Sequence, residues 1–154
     1  VEIRPLAPDD HSRATDFFGD ADRVFTLGRE YFLFELSGFV AVQETLPIGL
    51  ITYHMEGTEC QIVTINSQVE GMGIGTELLK AVIKTAVAAG CERVRAGVTN
   101  DNVDALRFFQ TRGFILAALN RNITDSYRQR HPSYPGYGMH SIPIRDEIEV
   151  EMNF

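Results

Sequence analysis

The most chemically suggestive run in the chain is Gln68-Val69-Glu70-Gly71-Met72-Gly73-Ile74-Gly75-Thr76. Glycine at every second position from Gly71 to Gly75 leaves the backbone bare, so successive N–H groups can close on anionic oxygens. Beyond it, Leu78, Leu79, Val82, Ile83 and Ala86 recur at three- and four-residue spacing and predict a helix to about Ala89, stopped at Gly90. A glycine turn that opens a helix offers phosphate both bare amides and the positive end of the helix dipole. No lysine follows the last glycine, so this is not a Walker loop. The alternate-residue spacing also departs from the G-x-G-x-x-G dinucleotide fingerprint, which disfavours an ATP or NAD site. The plain alternative is a flexible turn with no ligand.

Two side chains upstream could move a proton. Glu59 is the first candidate for a general base, acting through a water, and His54 is the second. Each has an ordinary alternative: a solvated carboxylate at a strand end, and a histidine that merely lies in a strand. The four histidines (His11, His54, His131 and His140) lack ligand spacing, so no metal site is expected. Cys60 and Cys91 form no metal or disulfide pattern and are read as buried or half-buried thiols in a reducing compartment.

The elements that must position these residues follow from pattern. Strands are predicted at residues 2–6, 39–43, 48–54, 59–66, 92–99 and 114–119. A last strand has Ile148, Val150, Met152 and Phe154 alternating with Glu147, Glu149, Glu151 and Asn153, the glutamates facing water. Helices are predicted from Asp9 or Asp10 to about Phe18, across residues 102–112, and near residues 124–130 within a long Pro- and Gly-rich loop. Residues 19–34 read as loop with a second short helix. The plan is a meander of strands followed by β-α-β-α-β.

With 154 residues, 44% apolar and 23% charged, the chain suits a single globular domain spanning 1–154. A formal charge of -7 argues against broad nucleic-acid binding, which needs clustered basic residues. No basic-then-apolar leader stands out, and no apolar stretch approaches the ~18 residues of a membrane span. A cytoplasmic protein without membrane association is expected.

Two blocks of sequence carry a family resemblance. Gln68-x-x-Gly71-x-Gly73 followed by Ile74-Gly75-x-x-Leu78-Leu79 resembles the acetyl-CoA signature of the GNAT superfamily of N-acyltransferases. Downstream, Asn102-x-x-Ala105-x-x-Phe108-Phe109-x-x-x-Gly113-Phe114 is similar to that superfamily's later motif. Asn102, Ala105 and Phe109 share one helix face at i, i+3 and i+7. The resemblance implies a mixed α/β (α+β) fold: a mostly antiparallel central sheet of six to seven strands with splayed central strands, flanked by three to five helices. It implies transfer of an acetyl group from acetyl-CoA to a primary amine of a small molecule or protein by direct attack. Pantetheine would lie in the gap between residues 59–66 and 92–99, with a backbone N–H near Ile65 polarising the acetyl carbonyl. Pyrophosphate would sit on amides of Val69, Gly71, Gly73, Ile74, Gly75 and Thr76, beside Gln68. Asn102 would contact the pantetheine arm or an ordered water.

Phe109 departs from the pattern, because many members place there a tyrosine that protonates the leaving thiolate. Tyr127, Tyr134 and Tyr137 are candidate replacements, and a thiol pKa of about 8.5 also makes unassisted departure tolerable near neutral pH. The other reading of Phe109 is an acyl-CoA-binding or regulatory module with weak or no catalysis. Arg107 and Arg112 are candidates for the 3′-phosphate of coenzyme A, against a default of solubility. His140 and Arg145 are candidates for substrate contact. Phe17, Phe18, Phe32 and Phe34 are read as core or cleft wall. By the resemblance, a homodimer joined at sheet edges or through C-terminal strands is a candidate assembly.

Overall fold

The apolar alternation lays down nine strands in the computed structural model, which describes residues 1–13, 22–69 and 71–154. They are β1 (Glu2–Pro5), β2 (Arg23–Thr26), β3 (Arg29–Phe32), β4 (Ser37–Gln43), β5 (Leu46–Glu56), β6 (Glu59–Ser67), β7 (Arg93–Thr99), β8 (Ile115–Asn120) and β9 (Glu147–Asn153). Three α-helices lie wholly among the described residues, α1 (Ile74–Ala88), α2 (Val103–Gln110) and α3 (Ile123–Arg130), and residues 11–13 are also α-helical. The fold is mixed α/β, with seven strands of mostly antiparallel sheet as expected, and β2 and β3 paired separately as a hairpin. By contacts the chain divides into two units, Val1–Val24 with Tyr31–Val94 and Phe154, and Phe25–Glu30 with Arg95–Asn153.

In the first unit the strand order is β1-β4-β5-β6, every pair antiparallel. Helix α1 packs on β4, β5 and β6 and buries Ile74, Leu78, Leu79, Val82 and Ala86, the stripe its period predicts. Burial of each large apolar side chain there stabilises the unit by roughly 1.5–3 kcal/mol. The helix comes close to the sheet at Gly49, where a Cβ would stand 2.8 Å from Ile74 Cγ2 and 3.1 Å from Leu78 Cδ1. Its C-terminus closes on the predicted glycine. Gly90 has φ +84°, its N–H donates to Val87 O at 3.1 Å, and Cys91 N–H donates to Ala86 O at 2.9 Å, the paired bonds of a Schellman motif. Cys60 and Cys91 are both free and buried, and burial pushes the Cys60 thiol up to about 12.

In the second unit the strand order is β7-β9-β8, with β8 and β9 antiparallel from Ile115 opposite Glu151 to Asn120 opposite Glu147. Asn102 caps α2 by accepting Ala105 N–H at 3.1 Å.

Two expectations change. The described part of residues 19–34 holds a hairpin, not loop and helix, with one 3₁₀ turn at Leu33–Glu35. Its turn has two successive left-handed residues, Leu27 at φ 50° and Gly28 at φ 79°, as a tight hairpin requires. The alternation in β9 also fails at its first residue: Glu147 is 1% exposed, whereas Val150 is buried as predicted. The helix predicted from Asp9 or Asp10 follows a 3₁₀ turn at Pro8–Asp10 and is present over residues 11–13, and its stretch toward Phe17 and Phe18 lies outside the described residues. Among the described residues no helix is long and apolar enough to cross a membrane.

Candidate functional site

The glycine turn has the backbone that its composition predicts. Gly71 and Gly73 adopt φ +80° and +70°, the left-handed region that side chains disfavour. A Cβ built on either would meet nothing within 4 Å, so both glycines answer to conformation rather than crowding, and the space beside them is open. Gly73 is the N-cap of α1 and brings no capping side chain. The helix offers its first-turn amides no intrahelical acceptor, and its dipole favours negative charge at that end. The turn is anchored from behind: Gln68 N–H donates to Ile48 O at 2.9 Å, Ser67 Oγ donates to Val69 O at 2.9 Å, and Ile74 is buried. Gln68 itself is exposed, while Val69, Gly75 and Thr76 are half-buried. The geometry suits an anion held by backbone.

On β5 and β6 the same unit carries a row of polar residues on one face. Thr52 lies opposite Thr64 and His54 opposite Gln61, with Glu56 opposite Glu59 at the far end. The threonine hydroxyls hydrogen-bond at 2.5 Å. Tyr31 of β3 donates its hydroxyl to Gln61 Oε1 at 2.9 Å, and its ring lies 5.6 Å from that of His54. Between Thr52 and Tyr53 the register slips, leaving Val63 of β6 as the extra residue of a bulge. Ile65, the predicted carbonyl-polarising position, pairs with Ile51 just beyond it and is half-buried.

The two base candidates differ in their surroundings. Glu59 forms an ion pair with Arg93. His54 keeps about a third of its side chain exposed and has Glu56 Oε2 3.9 Å from Nε2, an ion pair only when the ring is protonated.

In the second unit Phe109 is buried 5.0 Å from the ring of Phe114 and 5.4 Å from that of Phe108. A hydroxyl is absent there, as the sequence dictates. Of the tyrosines named to replace it, Tyr127 is buried and raised well above its ordinary pKa, chiefly by burial. Its hydroxyl donates to Glu147 Oε1 at 2.7 Å. Burial pushes Tyr134 up to about 12, and Tyr137 is exposed. Arg107 is exposed beside Asp104 at 3.7 Å, and Arg112 lies 3.9 Å over the Phe108 ring. Arg145 pairs with Asp146 at 3.0 Å, and His140 is exposed with φ 56°. Phe32 and Phe34 are exposed and so are not core. No group of three or more metal-ligating side chains is present among the described residues.

With this geometry in place, the comparison with known sequences is direct. The profile of the Acetyltransferase (GNAT) family matches residues 6–114, more than half of the chain. The chain belongs to the GNAT family. This GNAT protein is 44% identical over 115 residues to the uncharacterized protein YdhI of Bacillus subtilis (strain 168), covering 74% of this chain and 72% of that protein. Its fold matches an IAA acetyltransferase from Bacillus cereus ATCC 14579 with TM-score 0.76 at 19% identity, over 99% of both chains. It also matches a GNAT family acetyltransferase from Elizabethkingia anophelis, solved with acetyl-CoA bound, with TM-score 0.73 at 19% identity, over 99% of this chain and 97% of that one.

Sequence reading of this GNAT chain passed over several residues. Thr52 meets Thr64 through strand register and Tyr31 reaches Gln61 through a side-chain contact between separate sheets, and no local motif announces either pair. Glu147 was assigned to water, yet it accepts hydrogen bonds from Tyr127, from Leu27 N–H at 2.8 Å and from Thr26 Oγ1 at 3.0 Å. The available signal was a run of buried-strand residues containing polar side chains, with Gln61 and Thr64 among Cys60, Ile62 and Val63.

Proposed function

We propose that residues 1–154 act as a single cytoplasmic N-acetyltransferase domain, moving an acetyl group from acetyl-CoA to a primary amine of a small molecule or protein. The observation that carries this reading is the open, left-handed Gly71–Gly73 turn at the N-terminus of α1. Acetyl-CoA supplies the activated thioester. Amides around Val69, Gly71, Gly73, Ile74, Gly75 and Thr76 hold the pyrophosphate, Gln68 lies at the mouth of the turn, and the backbone at Ile65 faces the acetyl carbonyl. Direct attack needs a neutral amine, an oriented thioester and stabilisation of negative charge on the carbonyl oxygen. Glu59 is occupied by Arg93, whereas His54 keeps about a third of its side chain exposed, so His54 is the better placed of the two to take the amine's proton. Asn102 spends its side-chain oxygen on the α2 cap and keeps its amide nitrogen for the pantetheine arm or a water.

Phe109 favours a second reading, an acyl-CoA-binding or regulatory module with little turnover, since a buried phenylalanine donates no proton. Calorimetric titration with acetyl-CoA tests the shared step, with Gly73→Leu as control. Micromolar binding that the substitution abolishes supports the site. Absence of binding by the native chain sinks both readings. Thiol release from acetyl-CoA in the presence of a panel of primary amines then separates enzyme from binding module.

A further inference from the structure

The polar row on β5 and β6 contains an unmet hydrogen-bonding capacity. Gln61 is 5% exposed, and its Oε1 is occupied by the Tyr31 hydroxyl, yet its Nε2 has no acceptor. Buried amide groups are nearly always paired, because an unpaired donor forfeits its hydration without compensation. The neighbours cannot relieve it. Leu33, Leu36 and Val63 form an apolar cluster with Tyr31, and the Thr52 and Thr64 hydroxyls are engaged with each other. Tyr31 holds one end of the amide, and exchanging Oε1 with Nε2 would keep that contact but leave the other end of the amide unmet. The bulge at Val63 falls two residues along the same strand, where the regular ladder is interrupted.

What would satisfy this donor is a ligand oxygen. The groups gathered beside it are an amide, hydroxyls and an imidazole, with no carboxylate nearer than the strand ends, and there Glu59 is already paired with Arg93. The amide, hydroxyl and imidazole donors beside Gln61 suit a carbonyl-type oxygen. We propose that the Gln61 carboxamide donates a hydrogen bond to a carbonyl-type oxygen of a bound ligand, with Tyr31 as its positioning residue. This rests on the acetyltransferase reading for its two sources of such an oxygen: the thioester carbonyl of acetyl-CoA, or a carbonyl beside the amine of the acceptor.

The test is side-chain amide NMR on the ¹⁵N-labelled full chain, with the Gln61 NH₂ signals identified by their loss in Gln61→Met. Four probes are titrated: acetyl-CoA, CoA, alaninamide, and isopropylamine, in which a methyl replaces the carboxamide. A Gln61 shift with acetyl-CoA but not CoA assigns the thioester carbonyl. A shift with alaninamide but not isopropylamine assigns an acceptor oxygen. In either case Tyr31→Phe, which keeps the ring and the Gln61 signals, should weaken the responding probe by about fivefold to tenfold. An unchanged affinity removes Tyr31 from the assignment. If Gly71 and Gly73 respond to acetyl-CoA while Gln61 ignores all four probes, the proposal is overturned and a buried water fills the position. Failure of Gly71 and Gly73 to respond refutes the acetyl-CoA site instead. Gln61 then stands or falls on the alaninamide and isopropylamine pair alone.

Discussion

Glu147 opens β9 and collects three donors from distant parts of the chain: Tyr127, Thr26 Oγ1 and Leu27 N–H. The Tyr127 hydroxyl in turn accepts Gly28 N–H at 2.9 Å, so one carboxylate and one phenol hold the tip of the β2–β3 hairpin. A Cβ at Gly97 would come within 2.4 Å of Glu147 Oε2, which is why this strand position takes glycine. Burial raises the Glu147 pKa although all three hydrogen bonds pull it down. For a raised carboxyl, the associated stability is present below the ordinary glutamate value of about 4.3 and lost as pH rises through the folded value. Replacement of Glu147 by Gln keeps Oε1 for Tyr127 and Leu27 and sets an amide against Thr26, which can accept from it. Urea melts across pH 4–8 should therefore show Glu147→Gln gaining on the native chain as pH rises. Glu147→Leu, which strands three buried donors, should lose roughly 3 kcal/mol or more at neutral pH. A Gln variant that loses ground with rising pH would contradict this assignment of the pKa. None of this was legible from alternation. A period of two says which face a residue takes in an isolated strand, and nothing about partners 20 to 121 positions away.

Elements whose determinants are local were legible, and those set by a single unusual dihedral were not. Helix α1 advertises itself through its apolar stripe, and its Schellman ending through Gly90. The β2–β3 hairpin hides because Leu27, a poor left-handed residue, occupies the first central position of the turn where Asn or Asp would signal it. The glycines of the first unit separate two kinds of constraint in the same way. Gly49 is needed for space: an added methyl would press on Ile74, on Leu78 and on Asn66 O at 3.3 Å, tilting the start of α1. Gly73 is needed for its dihedral alone. Gly49→Ala should cost roughly 1–3 kcal/mol, as overpacked cores do. Because the displaced residue is Ile74, it should also weaken acetyl-CoA binding. Gly73→Ala should cost about 1 kcal/mol, the usual penalty of a left-handed non-glycine residue. Denaturant melts paired with calorimetry check both. If Gly49→Ala lost stability with unchanged cofactor affinity, the N-terminus of α1 would not be what positions the cofactor.

At the scale of the whole molecule, the two ligands meet a chain of net charge -7 with opposite consequences. Coenzyme A is a polyanion, so the global field opposes its approach. On the proposed site, its binding would come from short-range amides and the helix dipole at the Gly71–Gly73 turn. On the proposed activity, an amine acceptor would approach as a cation and be drawn in by the same field. Salt screens fields over about 10 Å at 0.1 M, and contacts made by amides at hydrogen-bond range survive it far better. The association rate of acetyl-CoA should therefore rise by about twofold or more between 20 and 200 mM salt, while kcat/KM for a diamine such as cadaverine falls by a similar factor. Pentylamine, which lacks the second charge, should fall less than cadaverine. Stopped-flow binding and initial rates of thiol release read the two arms. Opposite slopes would mean that net charge steers the acceptor while local backbone captures the cofactor. A falling acetyl-CoA rate would instead require that basic side chains, with Arg107 and Arg112 the first to replace, outweigh the net negative charge.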